Sequence, residues 1–313
     1  MAQKRVITVF GATGSQGGAL VRAALADGEF AVRAVTRNPD SDRARELVEL
    51  GADVVPADMD DAASLPAVLE GAYGAYVVTN FWEHMSARRE KEQAQAVAHA
   101  AAHAGVQHVI WSTLEDTRDC IPLDDERMPV LQGEYKVPHF DGKAEADHYF
   151  TDEGAPTTFL RTTFYWENLL TTFAPQLGED GVLRIVFPMG TSRLSGIGVD
   201  DIGRTALSVF KRGTDLIGAT VSIAGEHLAL ADMAAVLTEV AGRPVEYAPL
   251  TPDEFRALGF PGADEAGNMF QFYADCEERF VRARDLQEVR ALDPELQSFA
   301  TWAAAHREEF ARL

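Results

Sequence analysis

Gly11, Gly14 and Gly17 lie between an apolar run, Arg5–Phe10, and a helical pattern that ends at Gly28. Strand, glycine turn and helix in that order can hold a pyrophosphate. The glycines let the backbone turn tightly and approach the phosphates. The helix start offers free N–H groups and a partial positive charge. The competing reading is a tight strand-to-helix turn that binds nothing. A second strand-like run, Phe30–Thr36, ends at Arg37. A site for NAD usually carries Asp or Glu at that point, to accept from the ribose 2′-hydroxyl. No acid stands there, and the guanidinium fork of Arg37 suits a phosphate. This predicts NADP(H) rather than NAD(H), with Arg43 and Arg45 as possible helpers or plain surface charges. For Arg37 itself the alternative is a solvated loop arginine.

Other residues gather at strand ends. Asp58 follows the third strand, where it can bond an adenine amine while Met59 lines a face. The alternative is an acidic helix cap, a role natural to Asp60 or Asp61. Thr79, Asn80 and Phe81 follow the fourth strand, where a ribose and nicotinamide would pass. Ser112 ends the fifth, and Lys143 lies on the next long helix. Serine and lysine so placed belong to the short-chain dehydrogenase plan. There a tyrosine four residues before the lysine moves the proton, and the lysine binds the ribose and lowers the phenol pKa. Here that position is His139. Imidazole can serve as an acid, but the plainer reading makes His139 a helix-entry residue and Lys143 a ribose ligand. Tyr135 and Tyr165 are candidate replacement hydroxyls. Tyr165, Trp166, Glu167 and Asn168 follow the sixth strand and fit a loop against a nicotinamide ring, in competition with ordinary aromatic packing.

The elements that would position these residues alternate through the first half. Strands are predicted at 5–10, 31–36, 53–56, 74–78, 108–112 and 157–162, with helices at 41–50, 62–69, 87–104 and 142–152 between them. That alternation predicts an α/β protein with a Rossmann-type doubly wound parallel sheet. A hairpin over 178–190, a helix closed by Gly242 and terminal helices near 266–274 and 294–310 describe a smaller α+β C-terminal region. The expected division is a core over 1–160 and a smaller region over 161–313, with about 182–225 returning to the core. A cleft between them is the default ligand site.

Composition narrows the function classes. A net charge of −21 argues against electrostatic binding to DNA or to anionic membranes. No apolar run is long enough to span a bilayer. The N-terminus runs straight into the first strand and does not read as a signal peptide. Cys120 and Cys276 have no metal or CxxC spacing and suggest no disulfide framework, so a reducing, cytoplasmic setting fits. His99 and His103 are one helical turn apart, but no acidic third ligand is evident, and no metal is expected.

The stretches GATGSQGG, VRAVTRNP, GAYGAYVVTNFWE, VPHFDGKAE, RTTFYWENLL, TPDEF and NMFQFYA together resemble the NmrA-like family of atypical short-chain dehydrogenases. The likeness is to its HSCARG-type NADP(H) redox-sensor branch and covers nearly the whole chain. It implies a Rossmann fold, NADP(H), and loss of the catalytic tyrosine. It implies phosphate contacts from Gly11, Thr13, Gly14, Ser15, Gln16 and Gly17. Arg37 would take the 2′-phosphate, and Asp58 and Met59 the adenine side. Thr79, Asn80 and Phe81 would line the centre, with Lys143 at the ribose and Tyr165, Trp166, Glu167 and Asn168 at the nicotinamide. Between Glu115 and Val137 the chain carries a segment longer than in that branch. Two functions follow as expectations. One is a non-catalytic NADP(H) sensor acting through loop order, a homodimer or a regulatory protein partner. The other is an NADPH-dependent reductase of a small planar substrate such as a quinone, enone or imine.

Overall fold

A computed structural model describes residues 4–313. The chain divides into two compact units. The first comprises residues 1–116, 139–162 and 199–222, and the second 117–138, 163–198 and 223–313.

The first unit is built on a parallel sheet. Its strands are β1 (Arg5–Val9), β2 (Phe30–Thr36), β3 (Asp53–Pro56), β4 (Gly74–Val77), β5 (His108–Thr113) and β6 (Thr157–Arg161), with an edge strand at Thr220–Ser222. Their order is edge strand, β6, β5, β4, β1, β2, β3, and every pairing is parallel. The chain starts at β1, winds outward one way to β3, then returns to β4 on the other side. That reversal is the doubly wound Rossmann arrangement, and it leaves a crevice at the carboxyl ends of β1 and β4.

Helices cover both faces. They are α1 (Ser15–Asp27), α2 (Asp42–Glu49), α3 (Leu65–Leu69), α4 (Phe81–His84), α5 (Ala87–His103), α6 (Pro138–Asp152) and α7 (Val199–Lys211). Side chains alternate along a strand, so β5 serves two cores. Val109 and Trp111 join Leu65, Val97, Ala146 and Phe150 under α3, α5 and α6. His108 turns the other way, with its ring 5.4 Å from Phe210 of α7.

Predicted boundaries hold within a residue or so for most strands, and two helices differ. α6 begins at Pro138, not Gly142. Proline suits a first helical turn, and Gly142 is interior because a Cβ there would lie 3.1 Å from the Ala87 Cβ. The glycine marks a close approach of α5 and α6 instead of a break. The predicted helix over 294–310 is interrupted: Ser298 caps a new start by accepting from Thr301 N–H, giving Phe299–Ala305, and the chain turns again at His306 before Arg307–Phe310.

The second unit has two three-stranded sheets. Phe164–Tyr165 pairs parallel with Arg193–Ile197, which pairs antiparallel with Glu226–Ala229. The hairpin expected over 178–190 forms earlier, as Gln176–Leu177 against Leu183–Ile185, and the latter also pairs with Val245–Tyr247. The helix Leu230–Ala241 closes at Gly242 with a left-handed cap, as the sequence suggests. The cysteines correct the sequence reading. Cys120 and Cys276 are joined by a disulfide, with Cα atoms 6.4 Å apart and 156 residues of separation. Sequence spacing carried no sign of a pairing that only the folded second unit creates.

Candidate functional site

The turn after β1 is set by its glycines. Gly11 has φ +66°, which a side chain rarely adopts, and a Cβ on Gly17 would lie 2.3 Å from the Gly11 carbonyl oxygen. The turn therefore needs these glycines for folding alone. Gly14 N–H donates to Gly11 O at 2.9 Å, and α1 starts at Ser15 with no acidic residue in its first turn. The N–H groups of that turn have no intrahelical acceptor, and no acidic side chain within it offsets the positive end of the helix. Gly14 and Ser15 are exposed.

Gln16 turns inward. Its side-chain oxygen accepts from Tyr76 Oη of β4 and from Ser112 Oγ of β5, the latter at 2.8 Å. Ser112 thus spends its hydroxyl proton on the α1 side of the sheet. Its neighbours Trp111 and Thr113 face the other way, toward α6.

Lys143 lies on that other face, 7% exposed. Its ammonium donates to Thr79 Oγ1 at 2.6 Å and to the Ser112 carbonyl at 3.3 Å, and it lies 3.1 Å from Glu90 Oε1. Thr79 Oγ1 passes its own proton to Glu90 Oε1 at 2.6 Å. The Trp111 ring lies 4.8 Å from Nζ. One turn below Lys143 on α6, Asp147 accepts from Trp111 Nε1 at 2.9 Å, and burial pushes its carboxyl up to about 6. Serine and lysine of the short-chain dehydrogenase plan therefore meet only through the serine's backbone oxygen. His139 shares a helix face with Lys143, one turn earlier. Its ring is nearly buried among Phe81, Trp82 and Phe140, with centroids at 5.7, 5.0 and 4.8 Å.

Glu90 was missed by the sequence reading, which saw only an Ala-, Glu- and Gln-rich helix. A signal was present: Ala87, Ala94, Val97, Ala98 and Ala101 make a helical stripe, and Glu90 falls in its register. An acid on an apolar stripe points to a buried cationic partner.

At the end of β2, Arg37 Nη1 pairs with Glu83 Oε1 of α4 at 2.6 Å, both side chains about half exposed. Arg43 Nη1 donates to the Thr13 carbonyl of the glycine turn at 3.3 Å, while Arg45 pairs with Asp42. Asp58 accepts from the Asp60 N–H at 3.0 Å, Asp61 caps Ala63, and Asp60 takes Arg89. Met59 is partly buried and packs against the core. Asn80 is exposed at the start of α4, and Phe81 is buried.

The remaining candidates belong to the second unit. Trp166 is buried against Phe299 and Trp302, and Glu167 Oε1 accepts from Trp302 Nε1 at 3.0 Å. Tyr165 and Asn168 flank them, partly exposed, and the Asn168 carbonyl accepts from Phe173 N–H. Tyr135 is buried in a turn paired with Leu131, with the Arg118 guanidinium 5.5 Å from its ring centre.

The pattern of the NmrA-like family matches residues 3–303, so the chain belongs to that family. Among curated relatives, an NmrA-like family domain-containing oxidoreductase, FrzB, of Cladobotryum sp. is 28% identical over 85% of this chain and 83% of its own length. Among solved structures, the negative transcriptional regulator NmrA in complex with NAD superposes with a TM-score of 0.82, at 22% identity, covering 99% of this chain and 98% of that one. Its complex with NADP gives 0.80, at 22% identity and the same coverage. At that identity the structural likeness establishes the fold.

Proposed function

We propose that the first unit binds NADP(H) and that the protein is a non-catalytic redox sensor, acting on a regulatory partner or on its own dimerisation. The Arg37–Glu83 pair carries this reading. A 2′-phosphate delivered to the end of β2 competes with Glu83 for the guanidinium, with Arg43 beside the glycine turn as a second cation. NAD(H) carries no such phosphate and leaves the pair closed. Loss of Arg37 releases α4, with the exposed Trp82, from its tie to β2. Cofactor identity thus becomes a local conformational difference, which a sensor requires. The site residues support binding without catalysis. Lys143 is tied to Glu90 and Thr79, the Ser112 hydroxyl is turned to Gln16, and an imidazole replaces the expected phenol.

Calorimetric titration with NADP+, NADPH and NAD+ tests the reading. Arg37→Ala should weaken NADP(H) by about 10- to 100-fold, as for a charge-assisted contact of about 1.5–3 kcal/mol, and leave NAD+ nearly unchanged. Glu83→Gln should tighten NADP(H). Equal affinities for both cofactors, unmoved by Arg37→Ala, would remove it.

The oxidoreductase names of relatives such as FrzB favour a second reading, an NADPH-dependent reductase of a quinone, enone or imine. Hydride transfer to a quinone needs little acid catalysis, because water can protonate the product oxygen. Single-turnover oxidation of stoichiometric NADPH against such a panel separates the two. Rapid, protein-dependent oxidation identifies a reductase; tight binding without oxidation supports the sensor.

A further inference from the structure

We propose that His99, His103 and Glu153 form a site for a borderline divalent cation of the zinc class, where the C-terminal ends of α5 and α6 meet. His99 and His103 lie one turn apart on α5 with ring centres 4.0 Å apart. Glu153 directly follows α6, and His99 Nδ1 is 3.2 Å from both its carboxylate oxygens, across 54 residues of sequence. One potential ligand atom from each of the three lies within 4.8 Å of the others. The two histidines alone offered no third ligand; the fold brings it from the next helix.

The His103 tautomer is set for coordination, whereas a cation must displace the proton that His99 Nδ1 directs at the Glu153 carboxylate. His103 Nδ1 is 2.9 Å from the His99 carbonyl oxygen. That oxygen can only accept, so Nδ1 carries the proton and Nε2 keeps its lone pair. A backbone carbonyl holding one ring nitrogen while the other ligates is the usual outer-shell support of a histidine ligand. Tetrahedral coordination at about 2.0–2.1 Å places ligand atoms about 3.4 Å apart. The three groups must close by roughly an ångström, and both imidazoles are exposed enough to rotate without losing core contacts.

Electrostatics favours a cation here twice. His103 is in the last turn of α5, and Glu153 is one residue past α6, so two helix ends present carbonyl oxygens to one place. No lysine or arginine occupies the last turn of either helix. Two imidazoles and one carboxylate suit Zn2+, Ni2+ or Cu2+, with water completing the shell. They do not suit Mg2+ or Ca2+, which prefer all-oxygen shells. A bound ion would clip together the two helices that carry Glu90 and Lys143.

The test uses the full chain, stripped with a chelator and dialysed. Calorimetry with Zn2+ should show one bound equivalent, and Mg2+ should give no heat. The Co2+-loaded protein should show the visible absorption bands of tetrahedral nitrogen and oxygen ligation. His103→Ala and Glu153→Gln should each weaken Zn2+ by about tenfold or more, while His148→Ala, an exposed histidine of α6 outside the cluster, should not. Zn2+ should raise the melting temperature of the wild type by a few degrees and leave His103→Ala unmoved. Circular dichroism checks that the exposed substitutions leave the fold intact. Absence of a stoichiometric Zn2+ site, or one unchanged by both ligand substitutions, would overturn the proposal.

Discussion

A buried ammonium needs an anion, and Lys143 has one in Glu90, which is fully buried. Breaking such a pair from one side leaves an uncompensated charge inside. Glu90→Gln should therefore cost about 3–5 kcal/mol in urea unfolding. Adding Lys143→Met should recover part of that loss, since the two groups are coupled. Strictly additive effects would show that the pair does not act as a unit. Two further residues set opposing pH responses in the same unit. Burial holds the His108 imidazole neutral down to about 4, against its ordinary 6.5. Its contribution to stability is complete above pH 6.5 and is lost as pH falls toward 4. Burial raises Asp147 from 3.8 to about 6. Its penalty is absent below pH 3.8 and complete above 6. Each effect amounts to about 3 kcal/mol at most, so between pH 4 and 6 they nearly cancel. Asp147→Asn should expose a steep loss of stability on acidification. His108→Gln should leave stability falling as pH rises. Unfolding curves collected across pH 4–7 check both slopes, and matching flat profiles in the two variants would contradict the assignment.

At the scale of elements, the sheet was legible because β-branched runs alternate with strong helix formers, and both periods can be read locally. The glycine turn was legible for the same reason: its requirements lie within seven consecutive residues. Gly17→Ala tests that requirement. The new methyl would meet the Gly11 carbonyl, so α1 must shift, at a cost of about 1–3 kcal/mol. The shift also moves the N–H groups proposed to hold phosphate, so melting temperature and NADP(H) affinity should fall together. Unchanged melting would show that the turn relaxes freely. What sequence could not supply was every partnership across elements. Ser112 reads as a strand-end hydroxyl, and only the register of β5 against α1 shows that it serves Gln16. The apolar stripe of α5 marks Glu90 as inward-facing, but only α6 shows that its partner is Lys143. Glu153 reads as an ordinary helix-end acid until α5 and α6 meet. The broken helix over 294–310 was misread because its apolar spacing continues through the Ser298 cap.

Over the whole molecule, no helix among the described residues is long and apolar enough to cross a membrane. The Cys120–Cys276 bond is the longest-range covalent constraint. It ties residues 117–138, which separate two pieces of the first unit in sequence, to the end of the helix Ala263–Asp275. Thiol titration of the denatured, unreduced protein should find no free thiol, and two after reduction. Reduction should lower stability by about 2–5 kcal/mol, since the closed loop is long. Two thiols before reduction would show that the cysteines stay apart in solution.

The interleaving of the two units has another outcome. The chain leaves the first unit after residue 116, re-enters at 139, leaves after 162 and returns once more for 199–222. That last passage supplies α7, which packs on the helix of the glycine turn, and the edge strand beyond β6. A fragment ending at residue 162 would hold every glycine and arginine of the turn, yet lack the support that fixes it. Cutting after residue 162 would divide the first unit, and α1 and α7 would meet only if 1–162 and 163–313 reassociated.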